Sequence, residues 1–107
     1  MQNLDQLVVE HLELAARDHH GRSAHLLIHD RNLRQAIIAM TQGTTLAEHD
    51  TPPAASLQVL KGAVRLNYGS GYVDAEAGQL LRLPEQRHSV DALEDSAILL
   101  TAVTSID

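Results

Sequence analysis

Six residues near the start of the chain share one face of a helix. They fall at the i, i+3, i+4, i+7 spacing and are Leu4, Leu7, Val8, His11, Leu12 and Ala15. Asn3 precedes this run and Gln6 follows three residues later, which is the spacing of a helix-capping pair. Gly21 is a natural stop, because glycine is common just beyond helix ends. The pattern predicts an amphipathic helix over residues 4–18.

After Gly21 the apolar residues come in short runs that are rich in leucine and β-branched residues. Turn-forming Gly, Pro, Asn and Asp separate the runs at intervals of roughly 8–12 residues. The runs read AHLLIH, LRQAIIAM, LQVL, AVRLNY, YVDA, QLLRL, SVDAL and AILLTAV. Strands of this length and spacing predict an all-β, antiparallel sandwich or barrel over residues 23–104. No linker, repeat or low-complexity segment is visible, so residues 1–107 are predicted to form one domain.

Two of these runs indicate how the sheets are buried. Val64, Leu66 and Tyr68 alternate with polar residues, as expected for a strand with one face in the core. The segment AILLTAV is apolar on both faces, so both faces are expected to be covered, by a second sheet or a subunit. The predicted core consists of Leu26, Ile28, Ile37, Leu57, Val59, Leu66, Leu81, Leu83, Leu99 and Val103.

Composition and charge exclude several classes of function. The chain contains no Phe, Trp or Cys, and its aromatic side chains are Tyr68 and Tyr72. Few rings are therefore present to stack on sugars or on the bases of single-stranded nucleic acid. The net charge is −6, and the eight basic residues are scattered instead of forming the cluster that phosphate neutralisation requires. We therefore expect no nucleic-acid partner.

Location and assembly follow from the same features. No segment reaches transmembrane length, and Asp5, Glu10 and Glu13 interrupt any run that could serve as a signal peptide. We predict a cytoplasmic protein without a membrane partner. A chain of this size buries only about two-thirds of its unfolded surface, so association would add burial. A homodimer is the expected assembly.

Two motifs that begin with glycine occupy the middle of the chain, and the segment Gly69-Ser70-Gly71 between them predicts a β-hairpin. The residues that define the spacing of the motifs are Gly43, His49 and Gly62 in the first, and Gly78, Pro84 and His88 in the second. This pattern resembles the cupin family, in which two such motifs are joined by a variable hairpin. The resemblance implies a cupin-type antiparallel β-barrel, or jelly roll, with the helix at its N-terminus.

The resemblance also implies a metal site, which this sequence matches only in part. In cupins three histidines and one glutamate bind a divalent metal such as Zn, Mn, Fe or Ni. His49 matches the first ligand and His88 the last histidine, so both are candidate metal ligands. Thr51 stands at the second histidine position and Ala55 at the glutamate position. Ala92 replaces the asparagine that often follows, and two of four ligands remain.

A third ligand would have to come from another position. A catalytic zinc usually has three protein ligands, and a non-haem iron site has two histidines and a carboxylate. The candidates are Glu48, Asp50, Gln58, His25 and His29. Glu48 and Asp50 are neighbours of His49 along a strand and therefore point to the opposite face, which disfavours them.

The favoured interpretation is a small-molecule-binding or interaction module with a degenerate metal site and no assigned catalytic residue. Thr51, Gln58 and Arg82 are the candidate ligand-binding residues, and small residues at inward positions would enlarge a cavity. The alternative is a metal-dependent enzyme of the dioxygenase or isomerase type, which would act on a small organic molecule through His49 and His88. A sensory domain that acts through a partner is a third hypothesis.

Overall fold

The computed structural model describes residues 1–49 and 52–104, with the backbone alone at residues 48 and 49. Over these residues the chain forms one helix and nine strands. Their bounds are α1 Leu4–Arg17, β1 Arg22–Asp30, β2 Leu33–Met40, β3 Thr45–His49, β4 Ala54–Lys61, β5 Ala63–Tyr68, β6 Gly71–Glu76, β7 Leu80–Arg82, β8 His88–Ala92 and β9 Ser96–Val103.

The N-terminal helix confirms the prediction to within one residue. The Asn3 side chain accepts a hydrogen bond from the Gln6 backbone N–H at 3.2 Å and so caps the first turn. At the other end, the Asp18 carboxylate accepts hydrogen bonds from the backbone N–H groups of His20 at 2.9 Å and Arg22 at 3.3 Å. These bonds lower the pKa of Asp18 and lead the chain from α1 into β1. Within the described residues, no helix is both long and apolar enough to span a membrane.

The strands form two antiparallel sheets whose inner faces enclose an apolar core. The larger sheet has the order β1-β2-β9-β4-β7, and the smaller has the order β3-β8-β5-β6. Ile98 and Leu57 of the larger sheet pack in one cluster with Leu66 and Val90 of the smaller. The register pairs Tyr68 with Gly71, which confirms the predicted hairpin. The predicted all-β, antiparallel architecture with an N-terminal helix is therefore confirmed.

Strand β9 lies at the centre of the larger sheet, between β2 and β4. On its inner face Ile98 is fully buried in the barrel core. On its outer face Ala97 is fully buried against Val8 and Ala15 of α1. At these two residues both faces are covered, as predicted: the second sheet covers Ile98, and the helix, which the prediction did not include, covers Ala97.

One polar side chain contributes to the attachment of α1 to the sheet. His11 is 8% exposed, and its Nδ1 lies 2.8 Å from the Ser23 hydroxyl oxygen on β1. Its ring also stacks on that of His25, with 5.8 Å between the centroids. Both strand residues therefore lie on the outer face, beneath the helix.

The predicted core is correct at its centre and wrong at one edge. Ile37, Leu57, Val59, Leu66 and Leu83 are buried, although Ile37 packs under α1 and not inside the barrel. The errors lie on β1, where 46% of Leu26 and 38% of Ile28 is exposed. Strand β1 is at the edge of its sheet and has β2 as its single strand neighbour, so less packing reaches its side chains.

A turn between β4 and β5 requires a glycine. Gly62 has a φ of 84°, a left-handed conformation that L-residues with a side chain adopt only at a cost. A Cβ at this position would collide with the backbone oxygen of Asp95 and with Ser96. Gly78 has a similar φ of 90°, but nothing lies within 4 Å of the Cβ position. Gly62 is therefore required both by its φ and by the lack of space for a Cβ, whereas Gly78 is required by its φ alone.

The outward face of the smaller sheet carries a bidentate ion pair. Arg65 donates to the Asp74 carboxylate from Nε at 2.7 Å and from Nη2 at 3.0 Å. The guanidinium also lies over the Tyr72 ring, 4.1 Å from its centroid. The hydrogen bonds and charge of Arg65 hold the pKa of Asp74 below its ordinary value.

Gly62→Ala should lower the free energy of unfolding by about 3 kcal/mol or more, and Gly78→Ala by about 1–2 kcal/mol. Both variants incur the cost of a left-handed alanine, and only the first adds a collision with the backbone of residues 95 and 96. Urea denaturation of both variants measures the difference. Equal losses would contradict the steric explanation.

The Asp74 carboxylate should titrate below its ordinary pKa of 3.8, and Arg65→Gln should return the midpoint towards that value. Because the folded-state pKa is lowered, the contribution of the pair to stability is present above the ordinary pKa and is lost as pH falls through the folded pKa. Carboxyl-carbon NMR between pH 2 and 6 provides the measurement. An unchanged midpoint in the variant would show that the ion pair is not the cause.

Candidate functional site

The two candidate metal ligands lie opposite each other in the smaller sheet. Strands β3 and β8 pair antiparallel, and their register sets the backbone of His49 against that of His88. Further along the same pair, Leu46 lies opposite Val90. The side chain of His49 lies outside the described residues, as does all of Thr51.

His88 is 2% exposed and lines a recessed cavity of about 130 Å³ at one end of the barrel. The lining residues are Leu46, Pro52, Ala55, Leu83, His88, Val90, Leu100, Thr101 and Ala102. The Nδ1 atom of His88 lies 3.3 Å from the backbone oxygen of Gln86. Because a carbonyl oxygen only accepts, this contact is a hydrogen bond when Nδ1 carries the proton.

The register explains why space remains at this end of the barrel. Ala55 on β4 pairs with Ala102 on β9, and both alanines line the cavity. The next inward pair is Leu57 with Leu100, and the one after it is Val59 with Ile98. Side chains therefore fill the middle of the barrel, whereas two methyl groups leave the end open.

The described donors do not form a metal site. Ala55, which stands at the expected glutamate position, lines the cavity with a methyl group that cannot bind a metal. Among the described residues, no group of three or more His, Cys, Asp or Glu side chains is placed to hold a metal ion. The described part of the site supplies one imidazole, that of His88, which is fewer than metal centres require.

Gln58 and Arg82 lie on the other face of the larger sheet. Gln58 alternates with Leu57 and Val59, which are fully buried in the barrel core, and it pairs with Leu99 and Leu80. Arg82 pairs with Ser56, which shares the outward parity of Gln58. The structure therefore does not bring Gln58 together with His88, and a binding role for it would concern the outer face.

The two histidines of β1 differ in their distance from the cavity. His25 stacks on His11 beneath the helix and is therefore on the outer face. His29 pairs with Arg34, which in turn pairs with Ala102. Two strand spacings, about 10 Å, thus separate His29 from the cavity wall at Ala102. His29 is exposed and does not line the cavity.

Arg82 borders a second concavity, an open cleft of about 410 Å³ on the outer face of the larger sheet. The cleft is lined by Pro53, Ala54, Ala55, Ser56, Arg82, Leu83, Glu85, Thr101 and Val103. Ala55, Leu83 and Thr101 also line the cavity beside His88. These shared residues belong to the sheet that separates the two concavities, so the Arg82 side chain lies on the opposite side of the sheet from the cavity.

Comparison with known proteins gives structural matches only. No protein-family model matches the sequence, and no curated protein matches it either. Solved structures do match, and several of them are described as cupins. The chain has the cupin fold. A cupin superfamily protein from Desulfitobacterium hafniense superposes with a TM-score of 0.74 at 12% identity, over 78% of each chain.

Two further matches cover more of this chain. A conserved protein of unknown function from Streptococcus pyogenes gives a TM-score of 0.75 at 19% identity, over 84% of this chain and 80% of that one. A cupin-2 domain protein from Shewanella frigidimarina gives 0.72 at 12% identity, over 96% and 94%. At these sequence identities the matches show a shared fold, and they do not indicate which activity this chain has.

The sequence motifs located the histidines but missed most of the cavity wall. Leu100 and Ala102 lie in AILLTAV, where apolar residues on both faces conceal the alternation that marks inward positions. Leu46 lies three residues before His49, and its pairing with Val90 identifies it as part of the wall. Ala55 is the sequence feature that indicates a cavity here, because alanine is much smaller than the glutamate that the resemblance predicts at this position.

The untagged protein should contain well below one metal ion per chain, even after incubation with Mn, Fe, Ni or Zn. The reason is that Thr51 and Ala55 stand at two of the four ligand positions that the resemblance implies, and neither supplies an imidazole or a carboxylate. Inductively coupled plasma mass spectrometry on the wild type and on a His49→Ala/His88→Ala double variant tests this. Near-stoichiometric metal that disappears in the double variant would contradict it.

Proposed function

We propose that this cupin is a binding module for a small, largely apolar molecule, which occupies the cavity beside His88. The observation that supports the proposal is the cavity lining, in which seven of nine residues are apolar. Pockets for small ligands usually combine apolar walls with a few polar groups that orient the ligand. The cavity volume of about 130 Å³ is close to that of an engineered 150 Å³ apolar cavity that binds benzene or xenon.

His88 is the proposed polar contact inside the cavity. The other polar lining residue, Thr101, accepts a hydrogen bond from Gln35 at 3.0 Å through its hydroxyl. The register places Gln35 and Thr101 opposite each other and on the outer face, so that hydroxyl lies away from the cavity. An imidazole oriented by the Gln86 carbonyl supplies a directional contact within an otherwise apolar wall.

A metal-dependent enzyme of the dioxygenase or isomerase type is the second candidate. The register that sets His49 against His88 favours it, because two ligands on paired strands can bind one ion. It also requires at least one further donor, which the described residues do not supply. The metal measurement given above separates this candidate from the first.

The expected homodimer remains a prediction. Exposed apolar side chains on the helix and on β7 support it, namely Val9 at 57%, Leu14 at 50% and Leu80 at 67% exposure. Sedimentation equilibrium would decide between a monomer and a dimer.

Benzene and 1-butanol should each bind saturably and shift the backbone amide resonances of Leu46, Val90 and Leu100. Ala55→Leu should reduce this binding at least tenfold, since the added carbons occupy the cavity. Because filling a cavity commonly stabilises a protein by about 0.5–2 kcal/mol, the variant should also melt at an equal or higher temperature.

Ala16→Leu on the exposed face of α1 is the matched control and should leave binding unchanged. Wild-type protein that binds neither probe would contradict the proposed function. So would an Ala55→Leu variant that is folded and binds both probes with wild-type affinity.

A further inference from the structure

The cavity of the proposed binding site is two layers of side chains deep. In the larger sheet, Ala55 and Ala102 line it at the end of the barrel, and Leu100 lines it at the next inward position of β9. The third inward pair, Val59 with Ile98, is fully buried in the barrel core and does not line the cavity. Consecutive inward positions on a strand are about 7 Å apart, so the cavity ends about one such step into the barrel.

The smaller sheet contributes the same two layers. His88 lines the cavity at the first inward position of β8, and Val90, two residues later, lines it together with its strand partner Leu46. The third position, Ala92, is buried in the core and lies outside the lining. We call the layer at the barrel end the rim layer and the one beneath it the base layer. The rim layer consists of Ala55, His88 and Ala102, and the base layer consists of Leu46, Val90 and Leu100.

The two layers differ in polarity. The base layer consists of hydrocarbon side chains, whereas the rim layer contains the imidazole of His88. The hydroxyl of Thr101, the other polar lining residue, is bonded to Gln35 on the outer face of the sheet. A polar ligand group in the base layer would therefore lose its water without meeting a hydrogen-bonding side chain among the described residues, whereas an apolar group would gain burial there.

The dimensions of the cavity fit a single hydrocarbon chain. A volume of about 130 Å³ over a depth of about 7 Å corresponds to a mean cross-section of about 19 Å². Such a section is about 5 Å across, which admits one chain, because non-bonded carbon atoms pack about 4 Å apart. The same volume equals the share of about four waters in the liquid, so it encloses about four or five carbons.

We infer that the ligand is a short, unbranched amphiphile, which inserts a chain of about four or five carbons and keeps one polar group in the rim layer beside His88. This inference rests on the proposed function. The chain end contacts Val90 and Leu100 in the base layer, where the burial of apolar surface stabilises it. Because the cavity opens at the barrel end, any further carbons project towards solvent and gain little burial.

NMR titration of the wild-type protein with primary alcohols from ethanol to 1-heptanol tests the chain length. Affinity should rise about fourfold for each added carbon up to 1-butanol or 1-pentanol, which is the gain expected for burying one CH₂ group. Beyond that length it should rise less than about twofold per carbon, because the added carbons stay outside the cavity.

1,5-Pentanediol tests the orientation of the ligand. It has the same chain length as 1-pentanol but must place its second hydroxyl in the base layer, so it should bind at least about tenfold more weakly. In the 1-pentanol complex, nuclear Overhauser effects should connect the terminal methyl to Val90 and Leu100, and the C1 protons to the His88 ring.

Leu100→Ala should lengthen the enclosed chain by about two carbons, so that the rise in affinity continues to 1-hexanol or 1-heptanol. Leu99→Ala is the matched control, because Leu99 is the neighbouring residue on β9, lies on the outer face opposite Gln58 and does not line the cavity. Its alcohol series should equal that of the wild type. The wild-type series and the diol test the inference even if Leu100→Ala does not fold.

Affinity that keeps rising about fourfold per carbon through 1-heptanol, or equal binding of the diol and 1-pentanol, would overturn the inference and leave the proposed function standing. So would a folded Leu100→Ala variant whose alcohol series matches that of the wild type. Binding of neither benzene nor any alcohol would overturn both.

Discussion

The structure depends above all on the pairing of β9 with β2 on one side and with β4 on the other. The last strand of the described chain thus enters the middle of the larger sheet, and its two faces serve two different layers. Ile98 completes the barrel core, while Ala97 provides the flat surface on which α1 rests. Because these pairings join distant parts of the sequence, the barrel and the helix layer are coupled through one strand.

The cavity is a consequence of the same pairing. In the register of β4 and β9 the inward pairs change from Val59 with Ile98, through Leu57 with Leu100, to Ala55 with Ala102. Side-chain volume falls towards one end of the barrel, and close packing elsewhere cannot fill the space that the alanines leave. His88, on the facing sheet, brings a buried imidazole to this space. The cavity therefore forms mainly because small side chains leave space at this end of the barrel, and not because the described metal-binding side chains converge there.

This arrangement shows how a chain with the cupin fold can lack a glutamate at the expected ligand position and have a cavity there. A methyl group at the expected glutamate position removes a charge that would be costly to bury without a metal, and it adds room for apolar atoms. The nearby polar groups are separated by the larger sheet, with His88 inside the barrel and Arg82 and Glu85 in the cleft on the outer face. The cavity itself therefore combines an apolar wall with one described imidazole, that of His88.

Local and periodic features were predictable from the sequence. The helix, its Asn3 cap and the hairpin at Gly69 each depend on residues that are close together along the chain. A short stretch of sequence is therefore enough to predict each of them. The spacing of glycine, proline and histidine resembles the cupin motifs, and that resemblance implied the cupin-type barrel. Tertiary structure decided which face each strand turns inward. It exposed Leu26 on an edge strand, placed Gln58 outside the barrel, and enclosed the cavity between β3, β4, β8 and β9. Those outcomes depend on pairing between strands that are distant in sequence. Strand β9 is apolar on both faces, so its sequence does not specify which face will pack in the barrel core.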